Sequence, residues 1–344
     1  MMYLKVNKPD AEGAKRAILK HALLDRSRLV QHEDRVTYFP IIDNISKANI
    51  KKLLKEIDFS IVNRTDAFRP MQDYHTLVRN KLANIKIDVG YDALGSIAIV
   101  DNRDGHEIGV LKKLASCILE SNPRIKTVLS KAGPVKGAFR IRSHHYIAGE
   151  RKYTADYKEN GTRYVFDVRR TFFSTRLAFE RLRIAKLSTN KENVAILFAG
   201  IGPFAIQIAA LHPHSHIIAI ELNSYACKNM ERNIKLNKTP NVLPVEGDVI
   251  DISKKYPSFA DRIVMPLPKT SITFLDQSFY MAKKKCVVHL YAFVAIDGGE
   301  EELINKIKYH AKKNRYKVNI LSTRLVRPYS AHEEEVVVDY KIFK

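Results

Sequence analysis

The chain is short of cysteine, of acidic residues and of long apolar runs, and each shortage argues against a class of protein. Its 344 residues include only Cys117, Cys227 and Cys286, and no two form a Cys-x-x-Cys pair. This argues against a disulfide scaffold and a thiolate zinc site, and no metal is expected. No apolar run reaches the roughly 18 residues of a membrane span, and the first residues lack the apolar core of a signal peptide. We therefore expect a cytoplasmic protein that does not enter a membrane.

Acidic residues are outnumbered by basic ones, and the excess is local. The chain has 58 Lys and Arg against 37 Asp and Glu, a net charge of +21. Residues 121–190 hold 16 Lys and Arg against 5 Asp and Glu, or +11, whereas residues 191–250 sum to zero. A local basic band is what a surface that follows a phosphate backbone requires, so nucleic acid is the partner indicated by charge. The alternative is a generally Lys-rich composition without a nucleic-acid role.

Strand and helix patterns divide the chain into three predicted domains. These are residues 1–72, a small N-terminal α/β domain; residues 73–170, a basic, β-rich α+β domain; and residues 171–344, in which strands and helices alternate. Alternation predicts a doubly wound, mostly parallel sheet. The last two strands are joined by a short loop and must be antiparallel. Seven strands with one antiparallel member near the C-terminal edge are the Rossmann-like α/β arrangement of class I methyltransferases.

Residues suited to a nucleotide occur at three successive strand ends of the last domain. Gly200 and Gly202 follow a strand and open a helix, where they let the backbone turn tightly against a ligand. Glu221 ends the next strand and could accept two ribose hydroxyls, and Asp248 ends the third, where it could meet an adenine amino group. In an open α/β sheet these ends form the ligand crevice. Each residue alone could equally belong to an ordinary turn.

Two prolines distinguish between the possible ligands and chemistries of this crevice. The glycine pair also fits a dinucleotide fingerprint, but Pro203 stands where a pyrophosphate-binding helix would need a free N–H, which favours S-adenosylmethionine over NAD. After the fourth strand the chain has Pro266-Leu267-Pro268, where class I enzymes that act on amino groups and bases carry Asn/Asp-Pro-Pro-aromatic or Asn-Leu-Pro. This resemblance implies that a stiff, proline-bracketed loop holds the target base at the methyl group. The alternative for this loop is a plain strand-to-helix turn.

Several stretches together resemble one family, the archaeal and eukaryotic tRNA guanosine-37 N1-methyltransferases and their wyosine-forming relatives. The similarity runs from about residue 95 to the end, and residues 1–70 resemble the family only in size and position. The similar stretches are GSIAIV, KGAFRIR, IAGE, ENGTRYVFDVRRTFFSTRLAFERLR, FAGIGPF, IAIELN, GDV and DRIVMPLPK. The resemblance implies a monomeric S-adenosylmethionine-dependent enzyme that methylates nucleotide 37 and contacts the anticodon stem-loop and outer corner of tRNA.

The resemblance also implies roles for individual residues. Glu180 matches the general base, which is needed because guanine N1 keeps its proton at neutral pH. Arg140 matches a cation beside the base's O6, where it would stabilise developing negative charge, and Pro266 belongs to the catalytic loop. The implied base contacts are Phe172, Arg181 and Pro268. The implied cofactor contacts are Phe198, Gly200, Gly202, Glu221, Leu222, Asp248 and Val249.

Three departures from the family pattern bear on the substrate. Ile196 stands where the family usually has an acid, so one polar cofactor contact is expected to be lost. Pro266 replaces an asparagine, and Phe172 replaces a commoner tyrosine. Both are similar to the archaeal branch that, in addition to guanine N1 or in place of it, methylates carbon 7 of 4-demethylwyosine, the tricyclic derivative of guanosine-37. The alternatives are an aminocarboxypropyl transferase of wybutosine synthesis, a non-catalytic tRNA-binding protein and, more distantly, a NAD oxidoreductase.

Overall fold

The structure is a computed structural model, and its described residues fall into two compact units. It describes residues 2–25, 28–42, 45–54, 57–64, 73–83, 85–87, 89–102, 105–137 and 141–344, with the backbone alone described at 134–136. The first unit comprises Met1–Val89, Asp104–Val128 and Ile147–Gly149, and the second comprises the remainder. These units record which residues lie close together. The division at residues 72 and 170 into three domains stays a prediction.

The first unit contains a small sheet covered by helices. Its elements are β1 (Met2–Asn7), α1 (Ala11–Lys20), β2 (Gln31–Glu33), β3 (Val36–Pro40), α2 (Lys47–Leu53), β4 (Phe59–Asn63), α3 (Tyr74–Leu82) and α4 (Ile108–Ser121). The strand order is β2-β3-β1-β4, and every pair is antiparallel. Apolar residues of β1 and β3 pack with Ile18 of α1 and Ile50 of α2. The sequence indicates each of these elements except β1, β2 and α3.

Strands dominate the basic part of the chain. They are β5 (Tyr91–Leu94), β6 (Ile97–Val100), β7 (Thr127–Lys136) and β8 (Ile141–Gly149), in the order β5-β6-β7-β8, followed by the hairpin of β9 (Thr154–Glu159) and β10 (Thr162–Asp167). The hairpin turn is Asn160-Gly161, with φ of 46° and 83°. Two positive φ values define the tight turn that Asn-Gly favours.

The rest of the second unit is a seven-stranded sheet with helices on both faces. The strands are β11 (Asn193–Leu197), β12 (His216–Glu221), β13 (Val242–Glu246), β14 (Ala260–Met265), β15 (Ala282–Ala295), β16 (Lys317–Pro328) and β17 (Glu333–Phe343). The helices are α5 (Ala178–Leu187), α6 (Pro203–Leu211), α7 (Ser224–Asn237), α8 (Val249–Ser253), α9 (Leu275–Met281) and α10 (Gly299–Lys313). The order is β13-β12-β11-β14-β15-β17-β16, and β17 alone runs in the direction opposite to the other six strands. The predicted doubly wound α/β fold is confirmed.

The central strands of this sheet are buried on both faces, which explains their near-continuous apolar runs. Along β11, Val194 and Ile196 enter one core, while Ala195 and Leu197 enter the core on the opposite face. The first core also receives the apolar faces of α5, α6 and α7. No helix within the described residues is long and apolar enough to cross a membrane.

Candidate active site

The carboxyl ends of β11, β12, β13 and β14 meet around one cavity of about 420 Å³. This volume lies in the range of small-molecule sites. Six of the seven predicted cofactor residues line it, namely Phe198, Gly200, Glu221, Leu222, Asp248 and Val249. Gly202 does not line the cavity. A Cβ at this position would lie 2.8 Å from Cγ of Met230 on α7. Its glycine is required by helix packing and by a φ of 86°.

The turn after β11 brings bare backbone to the cavity. Phe198 has a φ of 62°, which is unusual for a bulky residue, and its ring is held edge-on by Phe274 with centroids 4.8 Å apart. Gly200 has a φ of 59°, and a Cβ there would meet nothing closer than the Phe172 carbonyl oxygen at 4.0 Å. A side chain at Gly200 would therefore occupy the space that a ligand needs.

The Glu221 carboxylate braces this turn from the next strand. Its Oε2 accepts from the Gly200 N–H at 2.7 Å, and its Oε1 accepts from the Asn223 N–H at 2.8 Å. Burial raises the pKa of the Glu221 carboxyl, and the hydrogen bonds from the backbone oppose that shift. Each oxygen keeps a second lone pair, which suits a vicinal ribose diol. The residues of the cavity thus fit the nucleoside half of S-adenosylmethionine.

The loop after β14 forms another wall and is internally fixed. Pro266 and Leu267 line the cavity. Ser271 Oγ accepts from the Leu267 N–H at 3.2 Å and lies 2.8 Å from the Leu267 carbonyl oxygen, to which it donates. Pro268 lies outside the cavity, where its carbonyl accepts from the Phe293 N–H at 3.0 Å. The first proline therefore faces the cofactor cavity, whereas the second holds the loop to β15.

A second, larger cavity of about 630 Å³ adjoins the first and is basic. The cations that line it are Lys131, Arg142, Arg176 and Arg327, together with the carboxylates of Asp92 and Asp101. His144 also lines it, and burial, with the positive charges of Arg142 and Lys131, lowers its pKa to about 4. The imidazole is therefore neutral at pH 7. The cavity combines a positive field with neutral hydrogen-bonding groups, as a nucleotide site requires.

Phe172 lines both cavities. Its side chain is 45% exposed, which is unusual for a phenylalanine. A ligand in the cofactor cavity and a base in the basic cavity would therefore meet at this ring.

The structure separates the two adjacent α5 residues that the resemblance places near the base. Glu180 is 2% exposed and lines neither cavity; its carboxylate is paired with Arg183 and Arg324. Arg181 is 1% exposed and faces Glu159, with which it forms a bidentate ion pair. Neighbours on a helix point about 100° apart, so they cannot share one surface. Both assignments stay predictions.

Two further expectations have different outcomes. Arg140 lies outside the described residues. Ile196 is fully buried in the core beneath the sheet and does not line the cofactor cavity. Strand alternation directs Ile196 away from the ligand, so the expected loss of a cofactor contact does not follow from its side chain.

Several residues of the site were not predicted from the sequence. Asn223, Thr270, Thr273 and Phe274 line the cofactor cavity without having been predicted. Asn223 carried a signal, since an Asn between a strand and a helix is a typical N-cap; its Oδ1 accepts from the Tyr225 N–H at 3.0 Å. The others lie in or just after the proline loop and carry no pattern of their own. Among the described residues, no cluster of His, Cys, Asp and Glu is arranged to hold a metal ion.

Comparison with known proteins shows the family to which this chain belongs. A model of the TRM5/TYW2 methyltransferase domain matches residues 155–319, and a model of the tRNA methyltransferase 5 N-terminal domain matches residues 4–49. The chain is 30% identical over 343 residues to the tRNA (guanine(37)-N(1))-methyltransferase Trm5b of Pyrococcus abyssi, covering 99% of both proteins. This chain belongs to the TRM5/TYW2 methyltransferase family. It is therefore an S-adenosylmethionine-dependent methyltransferase.

Other members of the TRM5/TYW2 family are named for different reactions. The chain is 32% identical over 250 residues to the tRNA 4-demethylwyosine(37)-methyltransferase Taw21 of Saccharolobus solfataricus, covering 73% of this chain and 92% of Taw21. It is also 32% identical over 254 residues to a tRNA(Phe) (4-demethylwyosine(37)-C(7)) aminocarboxypropyltransferase of Methanocaldococcus jannaschii, covering 74% of this chain and 98% of the relative.

Solved structures of the family match all or most of this chain. The complex of aTrm5 and tRNALeu has a TM-score of 0.69 and 26% identity, with 99% of each chain covered. The complex of M. jannaschii TYW2 with AdoMet has a TM-score of 0.59 and 28% identity, covering 74% of this chain and all of that one. S-adenosylmethionine is thus the cofactor that both the family and the cavity indicate.

The Glu221 assignment leads to a first prediction. Glu221→Ala should weaken S-adenosylhomocysteine binding by roughly ten- to a hundredfold, because hydrogen bonds to a charged group are each worth about 1.5–3 kcal/mol. Calorimetric titration of the folded variant measures the effect. Asp251→Ala, on the exposed side of α8, is the control and should bind like the parent chain. Unchanged affinity in Glu221→Ala would remove Glu221 from the cofactor site.

Proposed function

We propose that this chain methylates the purine at nucleotide 37 of tRNA, at N1 of guanine, at carbon 7 of 4-demethylwyosine, or at both. The observation that carries the proposal is the pair of cavities joined at Phe172. One is lined by the family's cofactor residues, and the other by cations and aromatic rings. A methyl donor and an extruded base would enter from opposite sides of that ring.

The reaction needs positioning and proton removal, because the sulfonium of the cofactor is already an activated donor. For guanine, the base must lose the N1 proton as N1 attacks the methyl carbon. Glu180 is the proposed acceptor of that proton, and Arg140 is the proposed partner of O6. Since Glu180 lines neither cavity and is bonded on both oxygens, one of its bonds must open before it can act.

The basic surface is proposed to hold the anticodon stem-loop, and the N-terminal residues the outer corner of the tRNA. The +11 charge of residues 121–190 supports the first contact. The match of residues 4–49 to the tRNA methyltransferase 5 N-terminal domain supports the second. Activity as a monomer is part of the same proposal. Footprinting on a full tRNA and on its isolated anticodon stem-loop tests both contacts, and protection confined to the stem-loop would contradict the second.

The decisive experiment is mass spectrometry of the nucleosides formed from two substrates. One is a tRNA with guanosine-37, and the other carries 4-demethylwyosine. A mass gain of one methyl group on either substrate supports the proposal, and the substrate that reacts identifies the position. A gain of an aminocarboxypropyl group would favour the second candidate, which the M. jannaschii relative's name supports.

Pro266 is predicted to bias the choice between these substrates. Pro266→Asn restores the amide that N1-methylating members carry and should raise the ratio of guanine N1 product to carbon-7 product, because Pro266 lines the cavity and an amide can bond the purine edge. Paired reactions on the two substrates measure the ratio. Pro213→Asn, in an exposed turn, is the control and should leave the ratio unchanged. An equal ratio in both variants would show that this loop does not set the substrate.

A further inference from the structure

The two oxygens of the Glu180 carboxylate are held in different ways. Oε2 accepts from the Tyr291 hydroxyl at 2.9 Å and from Nε of Arg183 at 2.9 Å. Oε1 accepts from a terminal nitrogen of Arg324 at 2.8 Å. Tyr291 is fully buried and the Arg183 side chain is 14% exposed, whereas the Arg324 side chain is 41% exposed. One oxygen is therefore anchored from inside the protein, and the other is covered by a cation at its surface.

The anchor on Oε2 is itself fixed from behind. Arg183 pairs with Asp339 at 2.5 Å, and Asp339 lies 2.7 Å from Nδ1 of His289. Nε2 of His289 lies 2.7 Å from the Arg262 guanidinium. Because a guanidinium only donates, Nε2 must accept, and the proton must sit on Nδ1 and point to Asp339. Burial lowers the pKa of His289 and keeps this ring neutral. Arg183 cannot swing away without leaving a buried carboxylate unpaired.

Tyr291 is an equally rigid donor. Its ring packs against Phe204 with centroids 5.8 Å apart. Burial, and then the charge of Glu180, raise the pKa of the Tyr291 phenol far above its usual value, so the hydroxyl keeps its proton. A hydroxyl that always donates fixes the orientation of the carboxylate that accepts from it.

Arg324 is held much more weakly. Its guanidinium lies over the exposed ring of Phe179 at 5.2 Å, and its Nε, although buried, meets no acceptor in the described part of the chain. A phosphate oxygen could bond both Nε and a terminal nitrogen in the bidentate manner that guanidinium favours. An RNA backbone would therefore offer Arg324 more hydrogen bonds than Glu180 does.

We propose that Tyr291 and Arg183 are positioning residues that hold Glu180 through Oε2, and that Oε1 takes the substrate proton once RNA has drawn Arg324 away. The inference rests on the proposed role of Glu180 as the base. In the guanine reaction, the N1 proton passes to Oε1 as the N1 electron pair bonds the methyl carbon. The carbon–sulfur bond breaks, its electrons stay on sulfur, and neutral S-adenosylhomocysteine leaves. Glu180 then returns the proton to water.

Tyr291→Phe tests the anchor, because it removes one hydroxyl and keeps the ring against Phe204. We expect kcat at saturating tRNA and cofactor to fall by roughly ten- to a hundredfold, as small misplacements of a catalytic group do, while both KM values stay unchanged. Tyr340→Phe is the matched control: Tyr340 is fully buried on the opposite face of the same sheet. Should Tyr291→Phe unfold at a lower temperature than the control, Arg183→Lys gives a second test, since lysine cannot bond two carboxylates as a fork.

Arg324→Gln tests the uncovering of Oε1. Because Arg324 must leave before the proton moves, we expect a kcat at saturating tRNA no lower than that of the parent chain, and a higher KM for tRNA. A fall in kcat as large as that of Tyr291→Phe would overturn this step, and a parent-like kcat in Tyr291→Phe would overturn the anchor. Glu180→Gln separates these results from the proposed function: if it keeps full turnover, the base assignment itself fails.

Discussion

Glu180→Gln should lower kcat by roughly two to four orders of magnitude, the contribution that a positioned general base makes. Glutamine keeps the size of the side chain and can still accept from Tyr291, so the pairing of Arg183 with Asp339 is preserved. It cannot take a proton from N1. The affinity for tRNA should not fall, because Glu180 is buried, lines neither cavity, and as glutamine would hold Arg324 less tightly. Single-turnover methylation of a guanosine-37 tRNA measures the rate, and filter binding measures the affinity.

The control for this experiment is Glu301→Gln, an exposed residue in the first turn of α10. It makes the same chemical change far from the site and should leave the rate unaltered. A Glu180→Gln variant that methylates at the parent rate would leave Glu180 with a structural role alone, as the partner of two arginines. A variant that loses tRNA affinity in step with its rate would indicate that the carboxylate supports the RNA surface instead.

The fold was largely predictable because its signals are local. The strands β11, β12, β13 and β14 are short, largely apolar runs of five or six residues, and each is followed by turn residues and a helix. The antiparallel β17 follows from the shortness of the loop after Pro328. Helix α3 was missed because it is nine residues long and buries only Leu77 and Leu82, which is too little periodicity to show in the sequence.

The cofactor cavity was predictable for a related reason. Its residues sit at strand ends, and parallel strands bring all their carboxyl ends to one edge. The surroundings of Glu180 were not predictable, because they come from distant parts of the chain. Tyr291 lies 111 residues away along the sequence and Arg324 lies 144 residues away. No local pattern records which side chains a folded sheet brings to one carboxylate.

The partner of Arg181 was not predictable from the sequence either, since Glu159 lies on a different element. Removing Glu159 is expected to have a large effect on stability. Glu159→Ala should lower the free energy of unfolding by about 3–5 kcal/mol, since removing one member of a buried ion pair leaves an uncompensated charge. The side chains of Arg181 and Glu159 are only 2% and 4% exposed. Arg181 also donates to the Ser174 carbonyl at 3.0 Å, and its guanidinium lies over the Phe173 ring at 4.8 Å. The ion pair of Arg181 and Glu159 therefore stabilises the segment with Phe173 and Ser174, which lines the basic cavity.

The hairpin of β9 and β10 contains a second ion pair that differs from the first in being exposed. Asp156 pairs with Arg163, and their side chains are 43% and 44% exposed. An exposed ion pair contributes up to about 1 kcal/mol, so Asp156→Ala should shift the unfolding midpoint far less in a denaturant titration. Replacing Glu159 and Arg181 together by leucine and methionine should recover most of the stability, because apolar residues can fill a buried ion pair's volume. A Glu159→Ala variant no less stable than Asp156→Ala would mean that Arg181 finds water when unpaired. Arg181 would then be free to reach the base, as the family resemblance implies.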